Sequence, residues 1–143
     1  MIYSANKKGF EISTDKRRID IKYVHQFLSK SYWSPEISIN IIKNAVKGSL
    51  CFGLYHGEMQ IGFARMITDE ATFAYLADVF VDEKYRGRGL SKWMMEVILD
   101  HPKLAGLRRI MLATKDAHGL YKQYGFTPLT NVERWMVHNP GKL

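Results

Sequence analysis

Cysteine is almost absent: Cys51 is the only one in 143 residues. Internal disulfides are therefore excluded, and a reducing, cytoplasmic setting is expected. Cys51 stands in the apolar run Leu50-Cys51-Phe52-Gly53-Leu54-Tyr55. A buried small hydrophobe is the expected role there rather than a nucleophile. No apolar run approaches the roughly 18 residues that a membrane span requires. The start Met1-Ile2-Tyr3-Ser4 has no charged segment followed by an apolar one, so no signal peptide is read there. Repeats, low-complexity tracts and linkers are also missing. The formal net charge is +7, but the cations are scattered apart from residues 84–88 and small groups at Lys7-Lys8, Lys16-Arg17-Arg18 and Arg108-Arg109. No basic stripe with interleaved aromatics is present, so neither nucleic acid nor membrane is an expected partner. The charge suits solubility or an anionic ligand.

What is present fits a single domain over residues 1–143, with 46% hydrophobic and 24% charged residues. Residues 9–14 read as a strand. From Asp20 the spacing turns helical, with Ile21, Val24, Phe27 and Leu28 on one face. Ser34-Pro35 reads as an N-cap followed by proline at the first helical position. Two apolar stripes then follow, Ile37/Ile41/Ala45 and Ile39/Ile42/Val46, which predict a helix covered on most sides and stopped at Gly48. Residues 50–55, 60–68 and 72–81 read as strands, the first two joined tightly at His56-Gly57. Leu90, Trp93, Met94, Val97 and Ile98 recur at helical spacing, with Pro102 as the stop. A buried strand over 109–113, a short helix over 117–123 with Gly125 as its cap, and strands near 126–127 and 133–137 complete the order. The whole is a mixed α/β or α+β domain on one sheet.

The sharpest local feature is Val79-Phe80-Val81-Asp82-Glu83-Lys84-Tyr85-Arg86-Gly87-Arg88-Gly89-Leu90-Ser91. A strand ends, a glycine-rich turn follows, and an amphipathic helix starts. Backbone N–H groups at a helix start point outward together, where the dipole favours negative charge. Gly87 and Gly89 let a phosphate approach the main chain, and Arg86 and Arg88 add charge beside it. The alternative is a helix-initiating turn with glycines for geometry alone. A nucleotide-hydrolase loop is excluded, because no Gly-Lys-Ser/Thr ends this one. A dinucleotide loop is excluded too, because Lys92 stands where its third glycine is required.

On these residues the chain resembles the GNAT superfamily of acyl-CoA-dependent N-acetyltransferases, whose loop is Gln/Arg-x-x-Gly-x-Gly/Ala. Arg86 and Gly89 match, and Ser91 replaces the final small residue. A second signature, Leu120-Tyr121-Lys122-Gln123-Tyr124-Gly125-Phe126, resembles the superfamily's Leu-Tyr-x-x-x-Gly-Phe. The resemblance implies a mixed, mostly antiparallel sheet with a V-shaped split, flanked by four helices. It implies acetyl-CoA as co-substrate, with no metal. Residues Val79, Phe80 and Val81 would pair with the pantetheine arm, an N–H near Val79 would hold the thioester carbonyl, and Arg86, Gly87, Arg88, Gly89, Leu90 and Ser91 would hold the pyrophosphate. Tyr121 matches the tyrosine that protonates the departing thiolate.

Acetyl transfer requires a neutral amine, a polarised carbonyl and a proton for the leaving sulfur. Backbone N–H groups supply the second. A tyrosine's ordinary pKa of about 10 keeps its hydroxyl protonated for the third; packing in a short helix is the alternative role for Tyr121. The base stays open. The strand face that often carries Glu or His in the superfamily has Tyr75 and Ala77 here. Alternation sends Asp78 to the other face with Leu76 and Phe80, unless a bulge reorients it. His118, one helical turn before Tyr121, and a water chain are the other choices. Many members have a cofactor-touching asparagine where Thr114 stands, so that contact is not carried over, and Asp116 is read as the cap of the short helix. Ser31-Tyr32-Trp33-Ser34 either lines the amine pocket or packs under a loop. The acceptor is a small-molecule or peptide amine, and a homodimer is admitted. A non-catalytic CoA-binding sensor or subunit is the alternative.

Overall fold

The computed structural model describes residues 1–141, which divide into two compact units with a boundary after Ala113. In the first unit a six-stranded sheet runs in the order β1-β2-β3-β4-β5-β6. The strands are β1 (Ser4–Lys7), β2 (Phe10–Ser13), β3 (Leu50–His56), β4 (Met59–Thr68), β5 (Phe73–Val81) and β6 (Arg109–Met111). Successive pairs from β1 to β5 are antiparallel, and β5 pairs β6 in parallel. Helices α1 (Ile21–Leu28) and α2 (Ile39–Lys47) lie between β2 and β3 in the chain, and α3 (Leu90–Leu99) between β5 and β6.

Alternation along the strands makes the two faces. Cys51, Phe63 and Phe80 join Val24 and Leu28 of α1 and Ile42 and Val46 of α2 in one core cluster. The Phe27 and Phe80 rings stack with centroids 3.8 Å apart. Burial pushes the Cys51 thiol up to about 11, and it donates to the Val46 carbonyl at 3.5 Å, so it packs as a small hydrophobe. On the opposite face Phe52 meets the ring of His101, just past the end of α3. Leu90, Trp93, Met94, Met95, Val97 and Ile98 of α3 are all buried. Among the described residues no helix is long and apolar enough to cross a membrane.

Several expectations are corrected. The N-terminal strand is a hairpin: β1 precedes it, and Lys8 and Gly9 both take positive φ, 50° and 85°. That is the geometry of a two-residue hairpin turn whose twist matches its strands. The cap of α2 is Ser38, whose hydroxyl accepts the Ile41 N–H at 3.2 Å, and Ser34-Pro35 lies in the preceding turn. Glu36 at φ 58° interrupts any helix that starts at Pro35. Only one face of α2 is covered, since Ile42 and Val46 are buried while Ile41 is 57% exposed. Helix α3 ends at Leu99, ahead of Pro102. Strand β6 is an edge and only half-buried.

In the second unit α4 (His118–Lys122) is capped by Ala117, with no side-chain bond. Thr114, not Asp116, serves its start: the Thr114 hydroxyl accepts the Ala117 N–H at 3.1 Å. The C-cap of α4 is Gln123, and Gly125, expected in that role, lies two residues further on with φ 87°. The strands anticipated at 126–127 and 133–137 are absent; a 3-10 turn, Val132–Arg134, occupies part of that stretch. Trp135, Met136 and Val137 stand exposed, so their apolar character found no sheet edge to fill.

The β4–β5 connection is organised by Asp69. Its carboxylate accepts the Thr72 hydroxyl at 2.6 Å and the N–H groups of Thr72, Ala71 and Phe73. These bonds, the Thr72 hydroxyl first, hold its pKa below the usual carboxylate value of 3.8. A depressed carboxylate contributes stability above its unfolded pKa and loses it as the pH falls. Asp69→Asn is therefore expected to lower the melting temperature relative to the parent above about pH 5, with the gap closing on acidification below about pH 4. Melting scans of both proteins across that range check this; a constant gap removes Asp69 from the acid response.

Candidate active site

The β5–β6 ladder is short. It pairs Phe73 with Arg109, Ala74 with Ile110 and Tyr75 with Met111, and then stops. From Leu76 to Val81, β5 continues with β4 on one side only. The sheet is thus split along one side of β5, and the backbone groups of residues 76–81 on that side have no strand partner among the described residues.

The same half of β5 is irregular on its paired side. Phe63 registers with Phe80 and Arg65 with Ala77, so Asp78 and Val79 together face Ala64. Such an extra residue is a β-bulge, which leaves backbone groups out of the ladder and re-aims side chains. Asp78 takes φ 56°, in the left-handed region. This corrects the simple alternation: Asp78 points to the face of α1 and α2, and Phe80 lands on that face too, opposite to Leu76.

The Asp78 carboxylate is fully engaged. Arg65 Nε donates to one oxygen at 2.9 Å, and Trp33 Nε1 donates to the other at 2.9 Å. Arg65 also donates to the Ser49 hydroxyl at 3.0 Å. The Arg65 and Asp78 side chains are only 15% and 9% exposed. Asp78 therefore ties the α1–α2 connection, through Trp33, to the bulge beside Val79. Each of its oxygens accepts one hydrogen bond, so the geometry casts Asp78 first as a structural tie.

Beyond Val81 the chain is held in place before it reaches the glycines. The Asp82 N–H donates to the Ile61 carbonyl at 2.7 Å. Its carboxylate accepts the Lys84 N–H and the Tyr23 hydroxyl, both at 3.0 Å. Burial, with Asp82 alongside, raises the pKa of the Tyr23 hydroxyl and keeps it a donor. The Tyr85 hydroxyl meets His56 Nδ1 at 2.9 Å, and the Arg88 guanidinium lies over the Tyr85 ring. Arg86 Nε donates to the Val81 carbonyl at 3.2 Å. Gly87 and Gly89 take φ 81° and 73°. Gly89 is the N-cap of α3 without a side-chain bond, and the first helical bond runs from the Trp93 N–H to its carbonyl at 3.0 Å. A Cβ at either glycine would meet nothing within 4 Å. The turn is therefore open above its main chain, and its first-turn N–H groups have no carbonyl four residues back.

Residues Val79, Phe80, Val81 and 86–91 thus lie along one continuous path, the open half of β5 and the capless start of α3. Phe80 contributes backbone there, because its ring belongs to the core. In the second unit Tyr121 lies on α4, 8% exposed, its ring edge-on to Phe126 at 5.8 Å. His118, at the start of α4, is exposed.

A family model for the acetyltransferase (GNAT) family matches residues 17–126. The chain belongs to that family. Among solved structures it is similar to a GNAT-family protein from Xanthomonas campestris pv. campestris, 45% identical with a TM-score of 0.90, covering 94% of this chain and 95% of that one. A Gibberella zeae protein assigned as an acetyltransferase is 31% identical and covers 91% of this chain and 89% of its own length. A Clostridium acetobutylicum protein solved with acetyl-CoA shares the fold, at 15% identity and TM-score 0.65, covering 97% of this chain and 96% of that one.

The site residues that sequence reasoning missed are Arg65 and Tyr85, together with His56, noted there only as part of a connection. Arg65 carried a signal, being the single charge in the apolar run Ile61-Gly62-Phe63-Ala64-Arg65-Met66. A charge at a half-buried strand position requires a partner, and Asp78 is the inward acidic residue on the next strand. Tyr85 and His56 are far apart in sequence, and their pairing follows only from the fold.

The geometry of Gly89 gives a stability expectation. An L side chain in the left-handed region costs roughly 1–2 kcal/mol. Gly89→Ala is expected to lose about that much, although the space is open. Gly106→Ala, also in open space but without a positive φ, should lose nothing. Denaturant midpoints at unchanged slope compare the two; equal midpoints would show that the turn relaxes freely.

Proposed function

We propose that this chain is an acetyl-CoA-dependent N-acetyltransferase acting on a small-molecule or peptide amine. The observation that carries the reading is the continuous path just described: a strand edge freed by the split, a bulge at Val79, and an uncapped helix start reached through two left-handed glycines. The family match takes in parts of both units, which supports reading the chain as one catalytic domain. The Clostridium acetobutylicum structure with acetyl-CoA supports the choice of co-substrate. The site fits such a group, since the loop is open above Gly87 and Gly89 and flanked by the cations of Arg86 and Arg88.

Acetyl-CoA supplies an acetyl group activated as a thioester. On this reading the backbone of residues 79–81 pairs with the pantetheine arm, and the Val79 N–H donates to the thioester carbonyl oxygen. The N–H groups of residues 86–91 hold the pyrophosphate at the positive end of α3. Tyr121 gives its hydroxyl proton to the sulfur as the carbon–sulfur bond breaks. On this reading water takes the amine proton, because the Asp78 carboxylate is committed to Arg65 and Trp33. The protein is cytoplasmic on this reading, and no metal takes part.

Acetyl-CoA at about a hundred times its dissociation constant adds roughly 2.7 kcal/mol to a native state that alone binds it. The expected result is a raised melting temperature with acetyl-CoA, and a much smaller rise for Gly89→Val, whose branched side chain blocks the approach above the turn. A parent that melts at one temperature with and without millimolar acetyl-CoA contradicts the assignment.

Tyr121→Phe keeps the ring against Phe126 and removes only the hydroxyl. Single-turnover rate is expected to fall by about a hundredfold to ten-thousandfold, with CoA affinity near the parent's. A rate unchanged under conditions where chemistry limits turnover would assign Tyr121 to packing.

A further inference from the structure

Resting on the acetyltransferase reading, we propose that the acceptor is a monoamine with a flat apolar body, seated on Tyr75 and Ile67 and closed at one end by the Trp33 indole that Asp78 holds. The seat follows from strand register. Ile67 faces Tyr75 across β4 and β5, and Arg65 faces Ala77. Alternation puts Ile67, Phe73, Tyr75 and Ala77 on the face of Arg65, which is the face of α1 and α2. Those helices cover this face at Phe63 and Phe80 and leave its other end bare. Ile67 is 43% exposed and Tyr75 36%, whereas Met66, Ala74 and Leu76 on the reverse face are buried. Trp33 borders the same strip through its bond to Asp78. Its ring is exposed and packs edge-on against Tyr32, with centroids 5.0 Å apart. An apolar strip therefore ends at the bulge, directly beside Val79.

Charge decides the acceptor class. The acidic residues of the segments around the strip are Glu36, Asp69, Glu70 and Asp78. Asp78 is engaged by Arg65 and Trp33, Asp69 by its own turn, and Glu70 by Lys103 at 3.1 Å. Among the described residues of these segments only Glu36, exposed in the α1–α2 connection, is left without such a tie. One carboxylate on a chain of net charge +7 does not match the several ammonium groups of a polyamine or aminoglycoside. An arylalkyl monoamine carries a single ammonium charge, which it sheds before it attacks, and lays an aromatic body on Tyr75 and Trp33. Its nitrogen attacks the thioester carbon, the carbon–nitrogen bond forms as the carbon–sulfur bond breaks, the sulfur leaves as the thiol, and the nitrogen's proton passes to water. Trp33 is a specificity-determining residue in this arrangement, and Asp78 positions it.

The test uses the full chain, with thiol release from acetyl-CoA as the readout and 2-phenylethylamine and spermidine as probes. Melting scans with acetyl-CoA run in parallel. The expected result is a kcat/KM for 2-phenylethylamine at least about tenfold above that for spermidine. Tyr75→Ala should raise the 2-phenylethylamine KM about tenfold, and its acetyl-CoA melting shift should match the parent's. Trp33→Phe, which keeps a ring and loses the donor to Asp78, should raise the same KM by a smaller factor. An acetyl-CoA melting shift combined with spermidine preferred, with neither amine turned over, or with Tyr75→Ala leaving KM unchanged overturns the proposal and leaves the acetyltransferase reading standing. No acetyl-CoA shift at all overturns both.

Discussion

The ion pair between Arg65 and Asp78 holds a non-glycine residue in the left-handed region in the middle of a strand. Such a residue costs on the order of 1–3 kcal/mol. Hydrogen bonds to a charged group return about 1.5–3 kcal/mol each, and Asp78 accepts two, from Arg65 and Trp33. The strain is therefore met locally, and the bulge becomes a fixed feature. Its consequences run in both directions along β5. Toward the C-terminus the extra residue turns Phe80 onto the face of α1 and α2, where it stacks on Phe27. Losing such a ring from a core costs about 3–5 kcal/mol. Toward the N-terminus it leaves Ala77 and Tyr75 on that same face. Between them, Val79 is set outside the β4 ladder on one side and beyond the β6 ladder on the other.

The glycine turn shows a second balance. Gly87 and Gly89 give up the side chain that would cap α3, so the helix starts with unsatisfied N–H groups. Helices α1 and α2 are capped by side chains, Asp20 and Ser38, whereas α3, like the short α4, has no side-chain cap. Rigidity comes instead from the residues just upstream. Asp82 is held from three directions, by Ile61, Lys84 and Tyr23, and Tyr85 is bonded to His56 at the end of β3. A loop fixed in this way presents its N–H groups without further ordering, which lowers the entropic cost of taking up an anion.

Local periodicity explains what the sequence made legible. The α1 and α3 patterns and the β3, β4 and β5 runs each carry their own signal within about ten residues, and all five were readable to within two residues or so at each end. Gly87 and Gly89 were readable because a positive φ has few other residue choices. The failures are competitions between local signals or matters of long-range pairing. Ser34-Pro35 and Ser38 are both plausible caps, and the left-handed Glu36 decides between them. Asp116 and Thr114 compete in the same way at α4, and the hydroxyl wins. The bulge at Asp78 is one of two readings the strand allows, because nothing local chooses between it and unbroken alternation until Arg65 across the sheet claims Asp78. Apolar residues at 135–137 read as a strand, yet a strand is made by a partner edge, and none pairs with them among the described residues.

The engagement of Asp78 also bears on the chemistry proposed for the cleft. A carboxylate beside the reacting carbonyl would favour a protonated amine in the ground state, and a protonated amine cannot attack. Arg65 and Trp33 occupy that carboxylate, so the bulge beside Val79 offers an incoming ammonium no untied carboxylate to rest on. An amine there is better accommodated neutral, its proton left to water at the exposed end of the strip. The rate should then follow the neutral fraction of the acceptor, rising with pH toward the acceptor's own pKa rather than through the titration of a carboxylate. Binding energy comes from the apolar body on Tyr75 and Ile67, which is present equally before and during reaction. On the proposed reading, acceleration comes from the Val79 N–H and the Tyr121 hydroxyl, whose partners gain charge only as the carbon–sulfur bond breaks. The two halves of the proposed site thus divide their work: the apolar strip sets affinity, and the strand edge with its bulge sets rate.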